Sequence, residues 1–162
     1  MSNAIQYRMA AGVPGAVSRA QHATITPEVL DTTYYPTAFG VFVKFVSGAV
    51  RKIASGDAAS DVKGILVRPY PTSGNGTDGL GTSTPATSGI CDVLRRGYIF
   101  VKLAQGTAAK EGAVYVRVTA DTGKLVGDIE TAADSGKCVA VTGCYFTGAA
   151  DADGNVEVAY NI

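Results

Sequence analysis

The sequence predicts an all-β protein: a compact β-barrel or β-sandwich with an extended N-terminal arm and a long Gly/Ser/Thr-rich loop. Three observations predict it. Residues 113–119 and 156–160 alternate apolar and polar side chains with the period of two that a half-buried strand requires. Short apolar runs elsewhere are separated by glycine, proline, asparagine and aspartate, the residues that turn a chain. No window keeps a helical period for more than about two turns.

The elements follow in chain order. Residues 1–22 read as the arm. The stretch Ala10-Ala11-Gly12-Val13-Pro14-Gly15-Ala16-Val17-Ser18-Arg19 brackets a proline with glycines, which breaks any helix, and its small side chains form no core pattern. Residues 23–162 read as a single β domain. Its candidate strands are 23–30, 40–46, 49–54 after a Ser47-Gly48 turn, and 63–68, which Pro69 and Pro71 stop. Residues 72–89 hold five glycines, eight serines or threonines and a single charge. Such a stretch buries too little apolar surface to offset its ordering entropy, so it reads as an exposed loop. Strands are expected again at 97–103 and 113–119. Asp121-Thr122-Gly123-Lys124 is a turn, with 125–127 returning from it. Residues 131–135 are the best candidate for a helical turn. Residues 138–146 are β-rich, and a turn at 152–155 leads into the last strand, where Val156, Val158 and Tyr160 share a face.

Composition narrows the function. Charged residues make up 17% of the 162-residue chain, below the usual share of about 25%. Net charge is zero, and the basic doublets Arg51-Lys52 and Arg95-Arg96 lie outside any aromatic cluster, which excludes nucleic acid as the main partner. The charge is nonetheless uneven. Residues 120–162 hold two lysines against seven carboxylates, a balance of −5, so the rest of the chain carries +5. A basic front and an acidic back can pair between copies. No stretch approaches the roughly 18 apolar residues of a membrane span, and the first residues lack the basic-then-apolar signal pattern. The expectation is a protein made in the cytoplasm, with no membrane partner. Cys91, Cys138 and Cys144 have no zinc-ligand spacing and read as buried free thiols.

Motifs of chemistry fail on inspection. Gly74-Asn75-Gly76-Thr77-Asp78-Gly79 has the glycine spacing of a dinucleotide loop, but Leu80-Gly81-Thr82-Ser83-Thr84-Pro85 supplies no helix to hold a pyrophosphate. Asp151, Asp153 and Asn155 have the first spacings of a calcium loop, but Val156 replaces its glycine and Ile162 its last acidic ligand. A tight hairpin turn explains them. His22, the sole histidine, lies at the edge of the arm, a poor place to fix a catalytic base. The reading is a non-enzyme with no catalytic, cofactor or metal residues.

One resemblance sharpens this. The opening from Ala4 to Arg19, with Ala38-Phe39-Gly40-Val41-Phe42-Val43-Lys44 and Gly64-Ile65-Leu66-Val67-Arg68-Pro69-Tyr70-Pro71, resembles tailed-bacteriophage structural cement (capsid decoration) proteins along the full length. The resemblance implies a virion protein on the outer surface of the capsid, made in the bacterial host cytoplasm. Its partners would be the phage major capsid protein and further copies of itself, a trimer being favoured over a dimer. The alternatives are another phage structural component, a tail or baseplate β protein, and a glycan-binding β module using Tyr34 and Tyr35 in place of the absent tryptophan. The expected contact residues, to capsid or to a neighbouring copy, are Tyr7, Arg8, Met9, Val13, Pro14, Val17 and Arg19. The arginines suit carboxylates, Tyr7 and Met9 are apolar anchors, and Pro14 limits the freedom lost on docking.

Overall fold

The computed structural model describes residues 12–69 and 84–162. Its strands are β1 (Thr24–Val29), β2 (Phe42–Val46), β3 (Ala49–Lys52), β4 (Gly64–Leu66), β5 (Ile90–Gln105), β6 (Ala113–Arg117), β7 (Ile129–Glu130), β8 (Cys138–Phe146) and β9 (Asn155–Tyr160). They neighbour one another in the order β3-β2-β4-β5-β7-β6-β8-β9. β9 then pairs back onto β5, so the sheet closes into a barrel.

β5 organises the molecule. Its first part pairs with β1 through Val29↔Ile90 to Thr24↔Arg96, and with β4 through Leu66↔Val93. Its second part pairs with β9 from Gly97↔Tyr160 to Lys102↔Asn155. Gly97, at φ +138°, is the joint between the two parts. A Cβ there would lie 3.0 Å from the Ala23 Cα, so only glycine fits where the chains cross.

Two apolar cores follow from this sharing. The larger fills the closed barrel with Ile99, Val101, Val114, Val116, Val118, Phe146, Val156 and Val158. The smaller holds Leu30, Phe39, Val43, Val50, Leu66 and Val93 under the β1–β4 sheet. Consecutive residues of that sheet point to opposite faces, and around β2, β4 and the middle of β5 both faces are covered. Phe42, Ile65 and Leu94 pack on the larger core while Val43, Leu66 and Val93 pack on the smaller. A bridge from Leu30 to Val50 brings the end of β1 to β3.

Several expectations are corrected. β5 starts at Ile90, not at residue 97. Its first part shows no alternation because Val93 and Leu94 are both buried, each on its own face. Residues 125–127 form no strand; the return is β7. Residues 131–135 form no helical turn, and short 3₁₀ turns stand instead at Ala20–His22 and Ala59–Asp61. The second is closed by Asp61 accepting the Ala58 N–H at 2.8 Å. Arg117, expected on the polar face of β6, is 0% exposed. It donates to Glu130 at 2.5 Å and to Asp134 at 2.7 Å, so its burial is matched by carboxylates. Of the expected loop 72–89, residues 84–89 are described. They form no regular element, and Pro85 among them is buried. The remainder of that loop, with the Gly74–Gly79 motif, lies outside the described residues.

Candidate interaction face

The lead-in at residues 12–19 lies on the body. The Gly15 N–H donates to the Phe100 carbonyl at 2.8 Å, and the Phe100 N–H returns to the Ala16 carbonyl at 3.0 Å. The Ser18 N–H reaches the Tyr98 carbonyl at 3.1 Å, and the Arg68 N–H reaches the Gly15 carbonyl at 2.8 Å. Val17 bridges to Ile99. This stretch runs along β5 through one isolated bridge and these backbone hydrogen bonds, and its small residues are what let the backbones approach. A Cβ on Gly12 would fall 2.2 Å from the Phe100 ring, and one on Gly40 would fall 2.6 Å from the Gly15 nitrogen.

The expected contact residues divide accordingly. Tyr7, Arg8 and Met9 lie outside the described residues. Val13 is 44% exposed. Pro14 sits in the turn that the Ala16 N–H closes on the Val13 carbonyl at 3.0 Å. Val17 is half-buried against the larger core. Arg19 turns to the other side, with its guanidinium 2.8 Å from Glu157 and 3.9 Å above the Tyr98 ring. Burial raises the Glu157 carboxyl, but hydrogen bonds from Ser18, Thr147 and Arg19 outweigh it, and the group sits below its ordinary value. Part of the basic-front, acidic-back asymmetry is therefore spent inside one chain, at Arg19–Glu157 and Arg117–Asp134.

The sequence reading missed the residues that complete the face. Along β1, Ile25, Pro27 and Val29 share one side, opposite Leu94, Asp92 and Ile90 of β5. Ile25 is 40% exposed, Val29 58% and Ile90 73%. Val13, Ala16, Val17, Ile25, Val67, Arg68, Pro69 and Asp92 line one groove. A second hollow beyond Pro69 is lined by Leu30, Phe39, Thr84, Pro85 and Ile90. The signal for these residues was the apolar Ile90, which reads as the end of a loop until 90–96 is recognised as strand.

The groups considered for chemistry have structural employment. The Asp151 carboxylate accepts the Asp153 and Asn155 N–H groups at 3.0 and 2.7 Å and the Asn155 side-chain amide at 3.0 Å, which makes the hairpin turn. His22 is exposed on its 3₁₀ turn, edge-on to Tyr98. All three cysteines are free, and burial pushes the Cys144 thiol up to about 12. Among the described residues, no group of three or more His, Cys, Asp or Glu is placed to hold a metal. Tyr35 packs against the smaller core while Tyr34 is exposed beneath the Arg51 guanidinium, so the two rings make no shared platform.

An exposed apolar face beside a β-paired lead-in suits contact with another protein. One solved chain, from "The capsid of Myoviridae Phage XM1", shares this fold with a TM-score of 0.71 and 22% identity, over 99% of this chain and 97% of that one. No curated protein matches. The family model described as XM1 gp53 minor capsid protein matches residues 1–160. The chain thus belongs to the XM1 gp53 minor capsid protein family and is a structural, tailed-phage capsid-associated protein.

Proposed function

We propose that this protein binds the outside of the phage head and cements neighbouring major capsid subunits, a structural and not a catalytic role. The observation that carries the reading is the exposed apolar row of Ile25, Val29 and Ile90 on β1 and β5, with Val13 sharing a groove with Ile25. A chain that folds alone gains nothing from leaving these side chains in water, whereas a shell surface that covers them gains their burial. A protein that binds the assembled shell and not its free subunits shifts the equilibrium toward the shell. Repetition over a lattice turns modest single contacts into firm attachment. On this reading the protein acts as a homo-oligomer, a trimer ahead of a dimer, and copies are joined in part through the N-terminal residues.

The test is addition of purified protein to heads stripped of it. Wild-type protein is expected to bind and to raise the temperature at which the heads release their contents. Ile90→Lys is expected to bind at least about tenfold more weakly, a loss of about 1.4 kcal/mol, with an unchanged melting curve of its own. Virion imaging that places the protein in the tail or baseplate overturns the proposal.

A further inference from the structure

One carboxylate interrupts the apolar row on β1 and β5. On one side of this strand pair, three rungs set Ile25 opposite Leu94, Pro27 opposite Asp92, and Val29 opposite Ile90. Residues two apart on a strand share a face, and so do residues directly opposite across a pair. These six side chains therefore form one patch, with Asp92 in its middle rung. Leu94 is fully buried at one end, whereas Ile25, Pro27, Val29 and Ile90 are exposed. Asp92 is half-buried and forms no salt bridge among the described residues. Arg68 shares a groove with it, but the Arg68 guanidinium lies over the Phe39 ring at 5.4 Å. Glu28, on the opposite side of β1, is by contrast matched by Arg95 at 3.2 Å. An unpaired carboxylate costs little while water reaches it, and much once a covering surface expels that water.

Resting on the reading that this patch meets the shell, we propose that Asp92 is its polar anchor: the shell subunit brings one lysine or arginine, set among apolar side chains, and that cation pairs with Asp92 as the patch is covered. Charge complementarity selects the occupant. A wholly apolar partner would strand the carboxylate in a dry interface, and an acidic one would repel it. A second copy docked patch to patch is opposed too, because a two-fold axis through the patch brings two Asp92 carboxylates to one centre. The layout suits an anchor, since Ile25 and Leu94 on one side and Val29 and Ile90 on the other can exclude water from the middle rung. The apolar contacts then supply most of the attachment. Asp92 supplies register and choice of partner, because a shell surface shifted along the strands leaves both charges unpaired.

The test is binding of the full chain and its variants to stripped heads, with the melting temperature of each variant. Asp92→Asn keeps the shape and removes the charge. It is expected to bind at least about tenfold more weakly, with an unchanged melting temperature. Asp92→Leu is the sharper variant, because two roles for the carboxylate predict opposite signs. Loss of an anchor leaves the shell's cation unpaired, so Asp92→Leu is expected to bind more weakly although it makes the patch wholly apolar. A carboxylate that only keeps an exposed sheet face from sticking predicts tighter binding, or self-association in sedimentation velocity, and either result overturns the proposal. A melting temperature that falls with Asp92→Asn assigns the carboxylate to a cation of its own chain, such as Arg68, and also overturns it. Arg8 is the single basic side chain outside the described residues. The double variant Arg8→Gln with Asp92→Asn is expected to bind more weakly than Arg8→Gln alone; equal binding pairs the two within this protein and overturns the proposal. Ile90→Lys separates the anchor from the reading it rests on. If Ile90→Lys loses binding and Asp92→Asn does not, the anchor falls and the cementing role stands; a wild type that does not bind heads removes both. Asp92→Asn remains informative if Asp92→Leu fails to fold.

Discussion

The Arg19 guanidinium meets the Glu157 carboxylate at 2.8 Å, joining the lead-in of the chain to its last strand. Ser18 donates to the same carboxylate through its hydroxyl. A chain beginning at Ala20 loses both, together with the backbone bonds of Gly15, Ala16 and Ser18 to β5 and Arg68. Each such backbone bond contributes about 0.5–1.5 kcal/mol net. The expected outcome is a body whose melting temperature is several degrees lower when the chain begins at Ala20 than when it begins at Gly12. Differential scanning calorimetry of the two shortened chains checks this. An attachment assay that uses the Ala20 chain would confuse loss of contact with loss of fold.

Acid is expected to destabilise the protein through its paired carboxylates. Hydrogen bonds from Arg117 and then Lys124 hold the Asp134 carboxyl below its ordinary value, and Lys137 and the Thr122 N–H do the same for Asp121. With Glu157, these groups bind protons more weakly folded than unfolded. Their stabilisation is therefore complete above the unfolded values near about 4 and is lost as the pH falls through the folded ones. Melting temperature is expected to be level down to about pH 5 and to fall below about pH 4. Asp134→Asn should melt lower at neutral pH and show a shallower acid fall. Arg117→Met should cost more at neutral pH, because it strands Glu130, which is 4% exposed, without a cation. Thermal melts from neutral to acid pH separate these outcomes.

Gly40 and Gly56 have nearly the same backbone, at φ +72° and +80°, in different surroundings. An alanine Cβ at position 40 would fall 2.6 Å from the Gly15 nitrogen and 2.8 Å from the Phe100 oxygen, while at position 56 nothing lies within 4 Å. Gly56→Ala should cost about 1–2 kcal/mol, the strain of a left-handed residue. Gly40→Ala should add about 1–3 kcal/mol of overpacking to that strain, since backbone atoms cannot move aside. Urea titration of both variants measures the difference.

The thiols should be slow to react. Burial pushes Cys91 up to about 11 and Cys144 up to about 12, and raises Cys138 as well. A coloured disulfide reagent near neutral pH should meet little thiolate in the native protein. Cys91, half-buried, should react first, and all three cysteines should titrate promptly once denaturant is added.

Legibility in the sequence followed how many faces of a strand are buried. β8 was read to its ends, and in β9 Val156, Val158 and Tyr160 alternate against a barrel interior with Glu157 turned out to Arg19. The start of β5 was invisible because Val93 and Leu94 serve different cores, which erases the period of two. β7 is too short, at Ile129–Glu130, to show any period. The candidate face was half legible. Val13 and Val17 stood out as the apolar members of a small-residue stretch. Ile25, Val29 and Ile90 did not, because an apolar side chain in a strand reads as core until the pairing shows which strands leave a side uncovered.

β5 also sets how the molecule bears tension. One unbroken backbone from Ile90 to Gln105 runs through both halves, so a pull entering at the exposed face crosses Gly97 along covalent bonds and not through packed side chains. Beyond that joint β5 lies antiparallel beside β9 from Gly97 to Lys102. A force directed along these strands loads the rungs of their ladder together, in shear, instead of opening them one at a time. A capsid component built this way would yield late and all at once.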